Sequence, residues 1–188
     1  MSEKNNIRSV NELGSTWKPA EVQAWLDSVL SGREELPKDF NWLLLAEHAG
    51  QLARESDDLE WARVSTRVYD WLHRVELDGN DDSSMALRAY FINKRGSVSG
   101  DPLLDPNVIL NWFYESLRMS FTEAELGIPK CKETIAKGNI KEPQDLQLCR
   151  ELRQIKNKLT IINWLVEGDT LHPDKELSKW LEIKATLP

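Results

Sequence analysis

The sequence predicts an all-α fold, either a helical bundle or a short array of antiparallel helix hairpins, with seven to eight helices. Three observations predict it. Apolar residues recur at the three- and four-residue spacing of an α-helix along most of the 188 residues, and prolines and glycines punctuate these stretches at the positions that begin and end helices. No stretch shows the polar–apolar alternation of a half-buried strand.

Three helices are predicted in the N-terminal part. The first begins at Pro19 and ends at Gly32, and the second spans about 41–55. The third begins after Asp57 and Asp58, whose carboxylates favour a helix N-terminus. Its apolar residues repeat every three or four positions and predict a buried face: Trp61, Val64, Val68, Leu72 and Val75.

Further helices are predicted in the remaining chain. A fourth is capped by Ser83 or Ser84 and ends before Gly96, and a fifth starts at Asp105-Pro106. One or two short helices are expected between about 122 and 138. The longest helix begins at Pro143 and ends at Gly168, and a last one follows Pro173.

The domain prediction follows from length and patterning. Residues 1–15 are polar and unpatterned, so we expect a flexible leader. The remaining 16–188 fit one all-α domain, since domains commonly hold about 100–200 residues.

The segment 42–75 resembles one tetratricopeptide-type helix hairpin. Ala49, Gly50 and Ala53 match the small residues where the family's helices cross, and Ala62 matches the family's alanine on the second helix. Ala46, Thr66 and Arg74 stand where the family prefers Trp, Phe and Pro. This resemblance implies antiparallel helix hairpins that present a groove to peptides.

Composition limits the function classes. The net charge is −7 with a sequence pI near 5.1, the first residues lack an apolar signal, and no apolar run approaches the ~18 residues of a membrane span. Cys131 and Cys149 carry no metal-binding spacing, so two reduced thiols are expected. We therefore expect a cytoplasmic protein that does not bind membranes.

The third helix carries the predicted partner-binding face. Arg63, Arg67, Trp71 and Arg74 lie off its apolar stripe, at i, i+4, i+8 and i+11. Arginines one turn from a tryptophan can stack on its ring, and such a face suits an acidic peptide or a phosphate. The alternative is an internal network with nearby acids such as Asp57, Asp58, Glu60 and Asp70. The eight tryptophans, five of them followed by Leu, otherwise suggest core packing.

A second, basic surface is predicted on the longest helix. Residues 129–160 carry a net charge of +4 within an acidic chain, and Arg150, Arg153 and Lys156 turn away from the Leu/Ile face. They would form a solvated outer face, a docking strip for an acidic partner, or a short nucleic-acid contact. The low pI places nucleic acid second.

Catalytic motifs are missing from the sequence. It contains no phosphate-binding glycine loop and no nucleophile elbow, and neither a metal nor a cofactor is implied. Asp70 and His73 share a helix face and would serve a metal-dependent hydrolase only with acids from other helices. The favoured function is a non-catalytic interaction or regulatory subunit that binds another protein, preferably an acidic segment, through a helix groove. An acidic inhibitor that mimics a nucleic acid belongs to the same class.

Overall fold

The computed structural model describes residues 7, 9–35, 38–75, 82–117, 133, 136 and 143–187. The described residues form seven α-helices and no strand, which confirms the predicted all-α class. The short helices predicted between about 122 and 138 lie almost entirely outside the described residues. The helices are α1 Pro19–Leu30, α2 Trp42–Ser56, α3 Leu59–Val75, α4 Asp82–Arg95, α5 Pro106–Leu117, α6 Pro143–Glu167 and α7 Lys175–Lys184.

The chain divides into two compact units, residues 1–88 and 89–188. The first contains α1, α2, α3 and the beginning of α4. The second contains the rest of α4 and the helices α5, α6 and α7. The expectation of one domain over 16–188 stays a prediction.

Part of the predicted leader packs into the first unit, which corrects the expectation of a flexible segment over 1–15. Ile7, Val10 and Leu13 are buried, and a 3-10 helix spans Val10–Glu12. The Trp17 indole N–H donates to Glu12 Oε2 over 3.1 Å. These three apolar residues lie three positions apart, but three residues are too few to establish a helical repeat. Their burial therefore could not be predicted from hydrophobic periodicity.

The α2–α3 hairpin is built on small residues. Ala46, Ala49 and Gly50 are buried on α2, and a Cβ added at Gly50 would lie 3.0 Å from Ser65 Oγ on α3. Ser65 Oγ donates to the Ala46 carbonyl over 2.7 Å, so this close crossing leaves the buried hydroxyl satisfied. Asp57 takes the left-handed conformation, with φ 54°, and ends α2.

A buried ion pair joins α3 to α4 within the first unit. Arg88 Nη2 lies 2.6 Å from Asp70 Oδ2, and the side chains are 6% and 37% exposed, respectively. Ser84 Oγ accepts from Arg88 Nε and donates to Asp70 Oδ1, each over 3.3 Å. The predicted cap Ser84 therefore lies inside α4, which already begins at Asp82, and serves this network instead.

The second unit packs its core from helices far apart in the chain. Ile109 and Phe113 of α5, together with Leu159 and Ile162 of α6, are almost fully buried. Asp174 caps α7 by accepting from the Leu177 N–H over 2.8 Å, and its other oxygen accepts from the Tyr114 hydroxyl over 2.8 Å.

The prediction of two reduced thiols is wrong. Cys149, on α6, is disulfide-bonded, and no cysteine among the described residues is free. Cys131, the other cysteine of the sequence, lies outside the described residues. Disulfides persist mainly in oxidising compartments, so this finding removes one support for the cytoplasmic prediction. Separately, no helix among the described residues combines the length and the apolar character needed to span a membrane.

Candidate protein-interaction site

The predicted contact residues all lie on α3, but their neighbours differ. Arg63 Nε is 3.2 Å from Glu60 Oε1 on the same helix, so this arginine takes part in the local network that the sequence offered as the alternative. Arg74 Nε donates to the Asp70 carbonyl over 3.1 Å, and its side chain is exposed on the last turn. Arg74 is thus the predicted arginine most open to solvent.

Arg67 connects α3 to α1. Its Nη1 donates to Gln23 Oε1 over 3.0 Å, and its Nη2 lies 2.6 Å from Asp27 Oδ1. The side chains of Arg67 and Asp27 are 36% and 55% exposed, so solvent screens the pair and its net contribution to stability stays within about 1 kcal/mol. Arg67 therefore borders the candidate surface with its charge already matched by an acid of the same chain.

Trp71 contacts one ring of an aromatic cluster that is built from several segments of the first unit. Its centroid is 5.1 Å from that of Trp42 at the start of α2. Trp42 stacks on Trp25 of α1 at 5.5 Å and 13°, and it meets Phe40 edge-on at 4.9 Å. We call Trp25, Phe40, Trp42 and Trp71 the N-terminal aromatic cluster. Trp42 is its central member because it touches the other three.

One buried polar atom in this cluster has no partner among the described residues. Trp25 is 7% exposed, and its buried indole Nε1 finds no hydrogen-bond acceptor in that part of the chain. Leaving a buried donor unpaired costs about 1–3 kcal/mol. The cluster therefore contains a buried donor that lacks an acceptor, which is uncommon in a purely structural core.

Exposed apolar side chains collect at the same end of the hairpin. Five large hydrophobic residues are exposed in the described part of the chain, and three of them are Leu43 at 51%, Leu44 at 44% and Val75 at 59%. Leu43 and Leu44 lie in the first turn of α2 and Val75 ends α3, so the antiparallel pairing places all three where Trp42 meets Trp71. We call Trp42, Leu43, Leu44, Trp71 and Val75 the hairpin-end patch.

The sequence identified Trp71 as a contact residue but not Trp42, Phe40 or Leu43. The available signal was the pair of Trp-Leu steps at 42–43 and 71–72, which lie near opposite ends of one predicted hairpin. Antiparallel helices bring the start of the first helix to the end of the second, so the hairpin itself predicts that the two tryptophans approach each other.

The predicted basic surface on α6 is only partly open. Arg150 and Arg153 are exposed, whereas Lys156 Nζ donates to the Leu187 carbonyl over 3.2 Å. Four other bases of the +4 segment, Lys130, Lys132, Lys137 and Lys141, lie outside the described residues. Lys158 lies 4.8 Å from the centroid of Trp112 and makes a cation–π contact within the second unit.

The two residues considered for a metal site, Asp70 and His73, have different surroundings. Asp70 binds Arg88 and Ser84, while His73 is exposed on the last turn of α3. No group of three or more His, Cys, Asp or Glu side chains suited to a metal ion occurs in the described ranges.

Comparison with family models, with curated proteins and with solved structures finds no match for this chain.

Proposed function

We propose that this protein is a cytoplasmic, non-catalytic interaction subunit that binds a segment of another protein at the hairpin-end patch. The single observation that carries the proposal is the concentration of Leu43, Leu44 and Val75 beside two half-buried tryptophans. Contiguous exposed apolar surface on a folded chain is typical of interaction sites, and tryptophan is enriched among the residues that dominate binding energy.

Charge next to the patch favours an acidic segment. Arg74 lies on the last turn of α3, one turn from Trp71, and is exposed, with its Nε donating to the Asp70 carbonyl. Arg67 lies one turn before Trp71 and is held by Asp27. A partner carboxylate would therefore pair first with Arg74, and the apolar partner side chains would cover Leu43 and Leu44. The tetratricopeptide-like hairpin proposed for 42–75 agrees with peptide binding between or beside paired helices.

The test is a random peptide library displayed on phage and selected on the immobilised wild-type chain. We expect the selected peptides to combine apolar residues with Asp or Glu. Their affinity for the double variant Leu43→Glu/Leu44→Glu should fall at least tenfold, because the substitution places carboxylates on the surface that must be desolvated. Arg74→Glu should weaken the same peptides through charge reversal.

The matched control is Val98→Glu. Val98 is 46% exposed in a loop of the second unit, so the substitution has similar chemistry at a similar exposure but belongs to the other unit. Circular dichroism establishes that all variants remain folded. The proposal fails if no peptides are enriched, or if the enriched peptides bind the double variant and Val98→Glu equally well.

A further inference from the structure

We propose that the Trp25 indole N–H is a recognition donor for a main-chain carbonyl of the bound peptide, and that Phe40 occupies the anchor position until the peptide displaces it. This inference rests on the proposed function and specifies how the N-terminal aromatic cluster takes part in it. The occupant is a segment of another protein with an apolar or aromatic anchor side chain next to an acidic residue.

The donor is identified by its missing acceptor. Trp25 is more than nine-tenths buried, and its Nε1 has no hydrogen-bond partner within the described ranges, whereas the Trp17 indole N–H in the same unit donates to Glu12 Oε2. A peptide carbonyl is the commonest acceptor that a protein partner brings, since every residue of an extended or turn segment presents one. Binding would convert an unmet donor into a hydrogen bond in a water-poor site, where such bonds are strongest.

Phe40 is the member of the cluster that can move. Trp25, Trp42 and Trp71 belong to α1, α2 and α3, so each is fixed by a helical backbone. Phe40 lies between α1 and α2, outside a helix, directly after Asp39 with φ 62°. Its half-buried ring stands 5.5 Å from Trp25 and 4.9 Å from Trp42. Displacement of the Phe40 ring therefore requires no change in a helical backbone.

The occupant follows from what surrounds Phe40. The vacated position has aromatic walls from Trp25 and Trp42, which suit an apolar or aromatic anchor. The exposed guanidinium of Arg74, one turn from Trp71 at the edge of the cluster, suits a carboxylate close to that anchor. An anchor, a carbonyl and a carboxylate within a few residues describe a peptide better than they describe a lipid or a nucleic acid.

The experiment follows the indole N–H directly. The chain is labelled with nitrogen-15, and the eight tryptophan indole resonances are recorded as the most enriched display peptide, made synthetically, is added. Trp25 is assigned from the spectrum of Trp25→Phe. We expect the Trp25 indole proton to shift downfield and to exchange more slowly with solvent in the complex, because it has gained an acceptor.

Three variants are expected to change the affinity for the peptide in three different ways. Trp25→Phe keeps an aromatic ring but removes the donor, and should weaken the peptide about three- to tenfold. Phe40→Ala removes the competing side chain and should tighten binding about threefold or more. Trp61→Phe alters a tryptophan of the same unit that is also buried, and should leave the affinity unchanged. A purely structural cluster would show losses of affinity in both of the first two variants.

The outcomes separate the two proposals. Peptide binding that leaves the Trp25 indole resonance unmoved, or a Phe40→Ala variant that binds more weakly, overturns this inference and leaves the proposed function standing. Absence of any selected peptide overturns both. Concentration-dependent dimerisation of the wild type, lost in Leu43→Glu/Leu44→Glu, would assign the patch to a second copy of the chain and likewise overturn the inference. If Trp25→Phe does not fold, the Trp25 indole resonance is assigned by triple-resonance spectra of the wild type, and its shift on adding the peptide still decides.

Discussion

Each unit contains a cluster of four aromatic side chains, and the two clusters treat their polar atoms in opposite ways. In the second unit, Trp112, Phe113, Tyr114 and Trp180 form what we call the C-terminal aromatic cluster, with successive centroids 5.2–6.5 Å apart. There the Tyr114 hydroxyl donates to Asp174, and the face of Trp112 carries Lys158. In the N-terminal aromatic cluster, the Trp25 indole N–H has no acceptor.

The difference in polar contacts agrees with a packing role for the C-terminal aromatic cluster and with the binding role that we propose for the N-terminal aromatic cluster. In the C-terminal aromatic cluster, the polar contacts come from within the unit: Lys158 of α6 lies over Trp112, and Asp174, the cap of α7, accepts from Tyr114. The N-terminal aromatic cluster is incomplete, and it borders the exposed residues Leu43, Leu44 and Val75. The same residue types therefore stabilise the fold in one place and leave both apolar area and a donor unused in the other.

The largest expected contrast comes from truncating one tryptophan in each cluster. Trp180→Ala removes a buried ring and should lower the free energy of unfolding by about 3–5 kcal/mol. Trp71→Ala removes a half-buried ring and should cost only about 1–2 kcal/mol. Urea denaturation followed by circular dichroism measures both. Equal losses in the free energy of unfolding would mean that the two tryptophans contribute equally to the stability of the fold.

Two ion pairs of the first unit have the same length, 2.6 Å, but differ in exposure to solvent. They should therefore differ in their contribution to the stability of the fold. Asp70→Asn removes the carboxylate that pairs with the buried Arg88, and we expect a loss of about 3 kcal/mol, the lower end for such pairs because Asp70 is 37% exposed. Asp27→Asn breaks the exposed pair with Arg67 and should cost less than about 1 kcal/mol. The same denaturation assay applies. A cost for Asp27→Asn that matches Asp70→Asn would show that Arg67 is held too firmly to border an open surface.

Acid should affect the C-terminal aromatic cluster through Asp174. Hydrogen bonds from the Leu177 N–H and the Tyr114 hydroxyl hold the pKa of this carboxyl below its ordinary value of 3.8. The resulting stability is present above about pH 3.8 and is lost as the pH falls through the lower pKa of the folded state. Asp174→Asn keeps a helix cap but does not titrate, so it should flatten this acid dependence in thermal melts. A wild type and variant with identical acid profiles would contradict the assignment.

The smallest expected effect concerns a tyrosine of the first unit. Burial raises the pKa of Tyr69 above its ordinary value of 10.0, partly offset by a hydrogen bond with Ser83. The unfolded chain loses this proton first, so stability should decline as the pH rises above about 10. Tyr69→Phe should remove that part of the decline. The difference between ultraviolet titrations of the wild type and of Tyr69→Phe isolates Tyr69, whose proton should be released above its ordinary pKa.

The helices were largely predictable because their signals are local. Pro19, Pro106 and Pro143 each occupy the first residue of a helix, as a ring that fixes φ and lacks an N–H allows. The α3 stripe predicted as buried is buried from Trp61 to Leu72 and fails only at Val75, the last residue of the helix. At a helix end no following turn covers the side chain, so periodicity overstates burial there.

The candidate site was only half predictable, because it depends on contacts between segments. Trp71 stood out by its arginine neighbours, yet its ring contact is with Trp42, 29 positions earlier in the chain. Arg67 offered no sign in sequence that Asp27 of α1 would pair with it. The unpaired N–H of Trp25 is a property of packing and leaves no trace in residue spacing. Local spacing therefore found one member of the cluster and could not find the chemistry around it.

The stacking of Trp25 on Trp42 also gives the molecule an internal optical reporter. Two indoles 5.5 Å apart with planes only 13° from parallel couple their electronic transitions, and such coupling depends steeply on separation and orientation. The pair should produce an exciton signal in the far-ultraviolet circular dichroism that disappears in Trp42→Phe. Any event that separates or re-orients the two indoles would alter that signal without a label, so the integrity of the stack could be followed over time in the unmodified protein.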